Sequence, residues 1–319
     1  MTGGLPSGMA RILERGSFCH VATLASRGPH VTPMVFAFSG GRLWVTTSRG
    51  SVKARTWARD RAVAGLVRDG DTALSFAGRA ETFDLLDADT WGRAVRETPA
   101  LTAATVRFAR KNARFFAGYA VDARRVPLSW TPPGRVFVGI GVERAAVVGD
   151  DGVRETWGGW PSGLVARERF RASRTGNDPL AGLPADVRGP LRDRGVGALA
   201  VLGRDGLVVL PVRWAVDGPM LLAALPEAVV ALAGCGSAEV SVGLALDRAS
   251  WWRARRMIGA MVQGTGEVFA LEHLVSGARS ADALAELAGA DPHRAALVRI
   301  RPGRVVWWHG WTSGTVPVA

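Results

Sequence analysis

The chain repeats itself, and a repeat of β-hairpins constrains its fold more than any other feature. Residues 32–40 (Thr-Pro-Met-Val-Phe-Ala-Phe-Ser-Gly) lie over residues 210–218 (Leu-Pro-Val-Arg-Trp-Ala-Val-Asp-Gly) in one register. Pro33 meets Pro211, Ala37 meets Ala215, Gly40 meets Gly218, and further on Leu43 meets Leu221. Residues 78–83 then match 264–269, with glycine, glutamate and phenylalanine coinciding. Matches in the same order in both halves indicate an internal duplication, so one half's architecture predicts the other's.

The first copy reads as closely spaced strands. Residues 18–24 and 31–38 are apolar with β-branched positions, joined by the turn Ser26-Arg27-Gly28-Pro29. Ser39-Gly40-Gly41 turns the chain into a third strand at 43–47, so the meander is antiparallel. A helix is expected over 52–61 with Ser51 as its N-cap, then strands at 62–67 and 72–83. Residues 85–116 have helical composition broken near Thr98-Pro99, and a strand pair is expected within 136–148. The second copy has strands at 196–202 and 207–216 and a closing strand pair at 296–308. Gly158-Gly159-Trp160-Pro161-Ser162-Gly163 and the arginine-rich run to Gly189-Pro190 read as a crossing linker. The expected fold class is mainly β (α+β), two tandem antiparallel units with helical insertions. The divisions are 1–157, a linker at 158–190, and 191–319.

Composition narrows the function. The chain has 319 residues, 48% hydrophobic and 21% charged, enough apolar material for two cores. No run of 18 uninterrupted apolar residues occurs, and the N-terminus lacks a charged stretch followed by an apolar one, so a soluble, cytoplasmic protein is expected. Cys19 and Cys235 stand alone in apolar surroundings, which argues against a metal site or a disulfide framework. The formal charge of +12 would attract an anion, but its arginines are scattered and no nucleic-acid-binding signature accompanies them. The expected partner is a small, anionic molecule, not specific nucleic acid or a membrane.

Only two of the forty basic residues are lysines, Lys53 and Lys111. Lys53 follows a strand ending in the hydroxyls Thr46, Thr47 and Ser48 and a turn carrying Ser51. Hydroxyls, helix N-terminal N–H groups and a compact ammonium together make a phosphate cradle, to which Arg49 or Arg55 would add a guanidinium. Alone, the same run also describes a capped surface helix with solvated cations.

The proline-bearing strand Thr32-Pro33-Met34-Val35-Phe36, followed by Thr46-Thr47, Ser51, Lys53, Trp57 and Asp60, resembles the FMN-binding split β-barrels of the pyridoxamine 5'-phosphate oxidase superfamily. That family's motif runs threonine-asparagine, serine, lysine, leucine, asparagine-proline at these spacings. Thr47, Trp57 and Asp60-Arg61 depart from it. The resemblance covers residues 10–150. It implies that Pro33, Met34, Thr46, Thr47, Ser48, Ser51, Lys53 and Arg55 hold FMN. It also implies that the two barrels pair within the chain as a pseudo-dimer, with further homodimerisation possible.

At the hairpin offset, Thr46, Thr47, Ser51, Lys53 and Arg55 fall on Ala224, Leu225, Val229, Ala231 and Ala233, so the second copy has lost its phosphate site. One cofactor per chain is therefore expected, with Arg213, Trp214 and the segment from Trp251 to Met257 as candidates for its wall; filling the interface between the barrels is the alternative role of these tryptophans. The resemblance implies hydride transfer through flavin N5 to or from a small organic substrate. The family's alternatives also stay open: deazaflavin F420, haem with His309 or His273 as axial ligand, or non-catalytic binding. The family's C-terminal R-x-H substrate signature is absent, no metal site is expected, and no catalytic residue is assigned; His20 and His30 flank the first hairpin.

Overall fold

The computed structural model describes residues 4–84, 86–121, 134–160, 176–234, 239–248, 254–270 and 295–317. Helix α1 (Ser7–Arg15) precedes β1 (Phe18–Ala25), β2 (Gly28–Ser39) and β3 (Arg42–Ser48). Helix α2 (Val52–Trp57), β4 (Ala62–Asp69) and β5 (Thr72–Phe83) follow. Helices α3 (Ala88–Arg96), α4 (Thr98–Lys111) and α5 (Ala113–Val121) lead to β6 (Arg135–Gly149) and β7 (Gly152–Trp157). The second copy runs α6 (Ala185–Leu191), β8 (Arg194–Gly203), β9 (Gly206–Asp217), β10 (Met220–Pro226), α7 (Glu227–Ala231), β11 (Val240–Arg248), β12 (Ile258–Ala270), β13 (Ala295–His309) and β14 (Thr312–Pro317).

Both copies have one topology. The first sheet is ordered β3-β2-β1-β4-β5-β6-β7 and closes through β3–β6; the second is ordered β10-β9-β8-β11-β12-β13-β14 and closes through β10–β13. Each is a closed six-strand antiparallel barrel with one extra strand. Period-two alternation sends Cys19, Val21, Phe36, Val45 and Phe76 into the first core, while Ala22, Val31, Ala64 and Leu66 face outward. Both barrels carry a bulge at the same place. At Gly78, an added Cβ would lie 1.9 Å from the Gly141 carbonyl oxygen, and at Gly264, 2.0 Å from that of Arg301. The two glycines matched in sequence therefore serve one purpose, close backbone approach at a β-bulge.

The barrels pack face to face within the chain. Ala22, Val31, Ala64 and Leu66 meet Ala198, Ala200, Val209, Ala245 and Met261 in one buried layer. The β2–β3 ladder ends at Phe36↔Val45, which leaves residues 28–35 of β2 paired on one side only. The second barrel takes up that edge: Gln263 Nε2 donates to the Pro29 carbonyl at 2.9 Å, and the Val31 N–H donates to Met261 Sδ at 3.2 Å. In the reciprocal contact, Ser75 Oγ donates to the Val209 carbonyl at 2.7 Å. Across the same interface, His20 Nε2 lies 2.6 Å from Asp247 Oδ1 and Arg68 donates to the Gly197 carbonyl at 2.6 Å.

Three local expectations change. The strand pairs expected at 136–148 and 296–308 are single long strands, β6 and β13, because the break in each is a bulge rather than a turn. Helix α2 stops at Trp57, short of residue 61. Within the stretch read as linker, Leu180, Leu183 and Val187 enter the second core, just as Met9, Ile12 and Leu13 of α1 enter the first.

Gly78→Ala should lower stability by about 1–3 kcal/mol through overpacking at the bulge, measured by urea unfolding. An unchanged midpoint would show that the bulge does not require glycine.

Candidate functional site

The site forms where β2 and β3 part. Thr32, Pro33, Met34 and Val35 are all half-buried along the unpaired stretch of β2. Helix α2 closes the gap by burying Ala54 and Trp57 in the first core. Its second residue, Lys53, is 4% exposed and donates from Nζ to Thr32 Oγ1 at 2.6 Å. No carboxylate among the described residues pairs with it. Burial pushes its pKa from 10.5 down to about 7.

Thr47 and Ser51 lie beside this lysine in sequence and bond each other, Oγ1 to Oγ, at 2.9 Å. Ser51 Oγ also accepts the Ala54 N–H at 3.1 Å, so it caps α2 as its sequence position predicted. His30, on the face of β2 that carries Thr32, is largely buried. Desolvation first, then the charges of Lys53 and Arg304, lower its pKa to about 2, so it is neutral at physiological pH. Thr23, opposite His30 on β1, is fully buried and its hydroxyl has no hydrogen-bond partner among the described residues. Cys19, on the same inner face, has its pKa raised to about 12 by burial, which makes it an inert thiol.

The structure does not bring all the sequence candidates together. Neighbouring residues of a strand face opposite ways, so Thr46 lies on the other side of β3 from Thr47. There Arg135 donates to Thr46 Oγ1 from Nε at 3.1 Å and from Nη2 at 2.9 Å. Ser48 is half-buried and its carbonyl accepts the Ser51 N–H at 2.9 Å. Arg55 is exposed. Arg49 is held by Asp84 through two bonds of 2.6 and 2.7 Å.

The expected wall is placed elsewhere. Trp214 is 2% exposed inside the second core, with Nε1 donating to the Val196 carbonyl at 3.3 Å, and Arg213 is exposed beside Asp150 at 3.4 Å. Trp214 stands at the position of Phe36, itself a core residue of the first barrel. What does face the first barrel from β13 is Val306 and Trp308, partly buried against the shared layer. Trp251, Trp252, Cys235 and His273 lie outside the described residues. His20 is a strut to Asp247, and His309 pairs through Nδ1 with Asp186 Oδ2 at 2.6 Å.

The second copy has no such cradle. Strand β10 ends at Pro226 and α7 begins at Glu227, whereas three residues, Arg49-Gly50-Ser51, separate β3 from α2. The second copy lacks this three-residue loop, which corrects the constant-offset pairing of Ser51 with Val229 and Lys53 with Ala231. At the positions matching His30 and Thr32 stand Val208 and Leu210, packed with Ala146 and Val148 of the first barrel. A surface crevice lined by Met220, Thr265, Glu267, Arg299 and Arg301, too narrow to hold a water, shares no residue with the Lys53 site.

With this geometry in place, comparison with known proteins is informative about the first half. Residues 8–76 match the pyridoxamine 5'-phosphate oxidase family. The matched span contains the whole cradle from Thr32 to Lys53 and accords with the family resemblance read from those residues. No curated protein matches the chain. Solved structures similar to it include a conserved hypothetical protein of Mycobacterium tuberculosis, 24% identical over 46% of this chain and 85% of that one, with a TM-score of 0.33. An F420 reductase is 21% identical over 49% of this chain and 100% of that one, with a TM-score of 0.28. A pyridoxamine 5'-phosphate oxidase-related, FMN binding protein of Nostoc punctiforme is 16% identical over 44% of this chain and 78% of that one, with a TM-score of 0.31.

Lys53 makes stability depend on pH. Between about 7 and 10.5 the unfolded chain holds a proton on Lys53 that the folded chain does not, so stability rises with pH through that window. Lys53→Met should abolish this part of the slope and be more stable than wild type near neutrality, measured by urea unfolding of both proteins across the window. Parallel profiles would mean that Lys53 is not buried.

Proposed function

We propose that the first barrel binds a phosphate-bearing flavin-type cofactor, FMN or the deazaflavin F420, and that the chain is an oxidoreductase acting on a small organic molecule. The observation that carries this reading is Lys53, a buried ammonium whose company is hydroxyls rather than a carboxylate. A buried cation without a counter-ion is costly, and a bound phosphate removes that cost. The residues present fit such a group: Lys53 supplies charge, and Thr32, Thr47 and Ser51 supply hydroxyl donors that can turn from one another to a ligand. Pro33 and Met34 lie on the same half-buried strip, beside which a ring can be held.

Bound there, the cofactor would supply hydride chemistry at its ring. The protein's contribution is to orient it, keep water out with the apolar layer between the barrels, and leave His30 neutral as a hydrogen-bonding group. FMN and F420 both carry a phosphate, and the cradle accepts either. The carboxylates of the F420 tail would add favourable interaction with the chain's positive charge. The absence of a membrane-length apolar helix among the described residues fits a small-molecule enzyme free of the bilayer, which we propose to be cytoplasmic.

Titration of wild type and Lys53→Ala with FMN and with F420, followed by fluorescence, tests the reading. The substitution should cost about 1.5–3 kcal/mol of affinity for the cofactor that binds, the size of a charge-assisted phosphate contact. Equal affinities would place the phosphate elsewhere.

A further inference from the structure

We infer that Arg304, carried by the barrel that lost its own phosphate loop, is the second cation of the Lys53 site and grips the ligand's phosphate from across the barrel interface. This deepens the cofactor reading and rests on it. Arg304 pairs with Gln263 in the β12–β13 ladder, and Gln263 Nε2 donates to the carbonyl of Pro29, the neighbour of His30. His30 in turn shares its face of β2 with Thr32, the partner of Lys53. Lys53 and Arg304 both act electrostatically on His30. Two cations from separate barrels thus bear on one stretch of β2, and among the described residues no carboxylate pairs with either.

The duplication provides an internal control. Arg144 holds the same place in the first copy, just after the bulge of β6, where it pairs with Ala77 as Arg304 pairs with Gln263. Arg144 is used structurally: Nη2 donates to the Asp205 carbonyl in the β8–β9 turn at 2.8 Å, and the guanidinium lies 5.0 Å over the Trp160 ring. Arg304 makes no such bond to the β1–β2 turn among the described residues. Its Nη2 donates to Thr315 Oγ1 at 3.0 Å, while its Nε is buried without a partner. A buried guanidinium N–H left unpaired is a donor awaiting an anion. The arginine that faces the copy whose site was filled with apolar side chains, Arg144, is the one that is tied down. The copy that faces the surviving cradle left its arginine available.

The test is titration of wild type, Arg304→Gln, Arg304→Lys and Arg144→Gln with FMN and with F420, each variant's melting temperature being recorded without ligand. Arg304→Gln should bind roughly 10- to 100-fold more weakly, Arg304→Lys should recover part of that loss, and Arg144→Gln should bind as wild type does. Wild-type affinity in Arg304→Gln overturns the inference and leaves the cofactor reading standing. Should wild type bind neither cofactor, that reading fails, and inorganic pyrophosphate decides the role of Arg304. A melting temperature raised by pyrophosphate in wild type but not in Arg304→Gln supports the assignment, whereas equal shifts, or none in either protein, overturn it.

Discussion

Everything in this molecule depends on how the free edge of one hairpin is satisfied. Splitting β2 from β3 makes room for α2 and its lysine, but it strips residues 28–35 of a ladder partner on one side. Unpaired backbone at a buried edge is costly, and the second barrel removes the cost with Gln263 and Met261 while an alanine-rich layer lets the two sheets approach closely. The Lys53 cluster and the pairing of the barrels are therefore two results of one distortion. A barrel of this kind alone would have to choose between closing its sheet and keeping its site.

Holding both barrels in one chain frees them from symmetry. In a homodimer every interface position meets its own copy, so a change must suit both sides. Here Arg68 and Asp247 occupy matching positions in β4 and β11 yet carry opposite charges, and each reaches into the other barrel. The clusters at these positions have diverged in the same way. One retains Thr32, His30 and Lys53 as a polar cluster, and the other has become a packed apolar core around Leu210 and Val208.

Much of this was legible in the sequence, for identifiable reasons. Strand alternation and the shared Pro33/Pro211 and Gly40/Gly218 positions define the hairpins, and β2 and β9 match residue for residue because both must offer the same edge. Lys53 stood out because lysine is so rare in this chain. The opposite wall was not legible. Which residues of β13 face the first barrel depends on the extra residue at its bulge, which resets the alternation, and no local pattern announces a bulge. Trp214 looked like a wall residue because it is large and aromatic on the matching strand, but its parity is that of Phe36, pointing into its own barrel. The offset between copies also fails at α7, where a three-residue deletion removes the loop that a constant register assumes.

The central claim is that one chain holds one ligand site, made by the first barrel and closed by the second. Isothermal titration of the full-length protein with its cofactor measures this directly as a stoichiometry. The account predicts one cofactor per chain. Two per chain, or a single site still present when Thr32, Ser51 and Lys53 are all replaced by alanine, would contradict it.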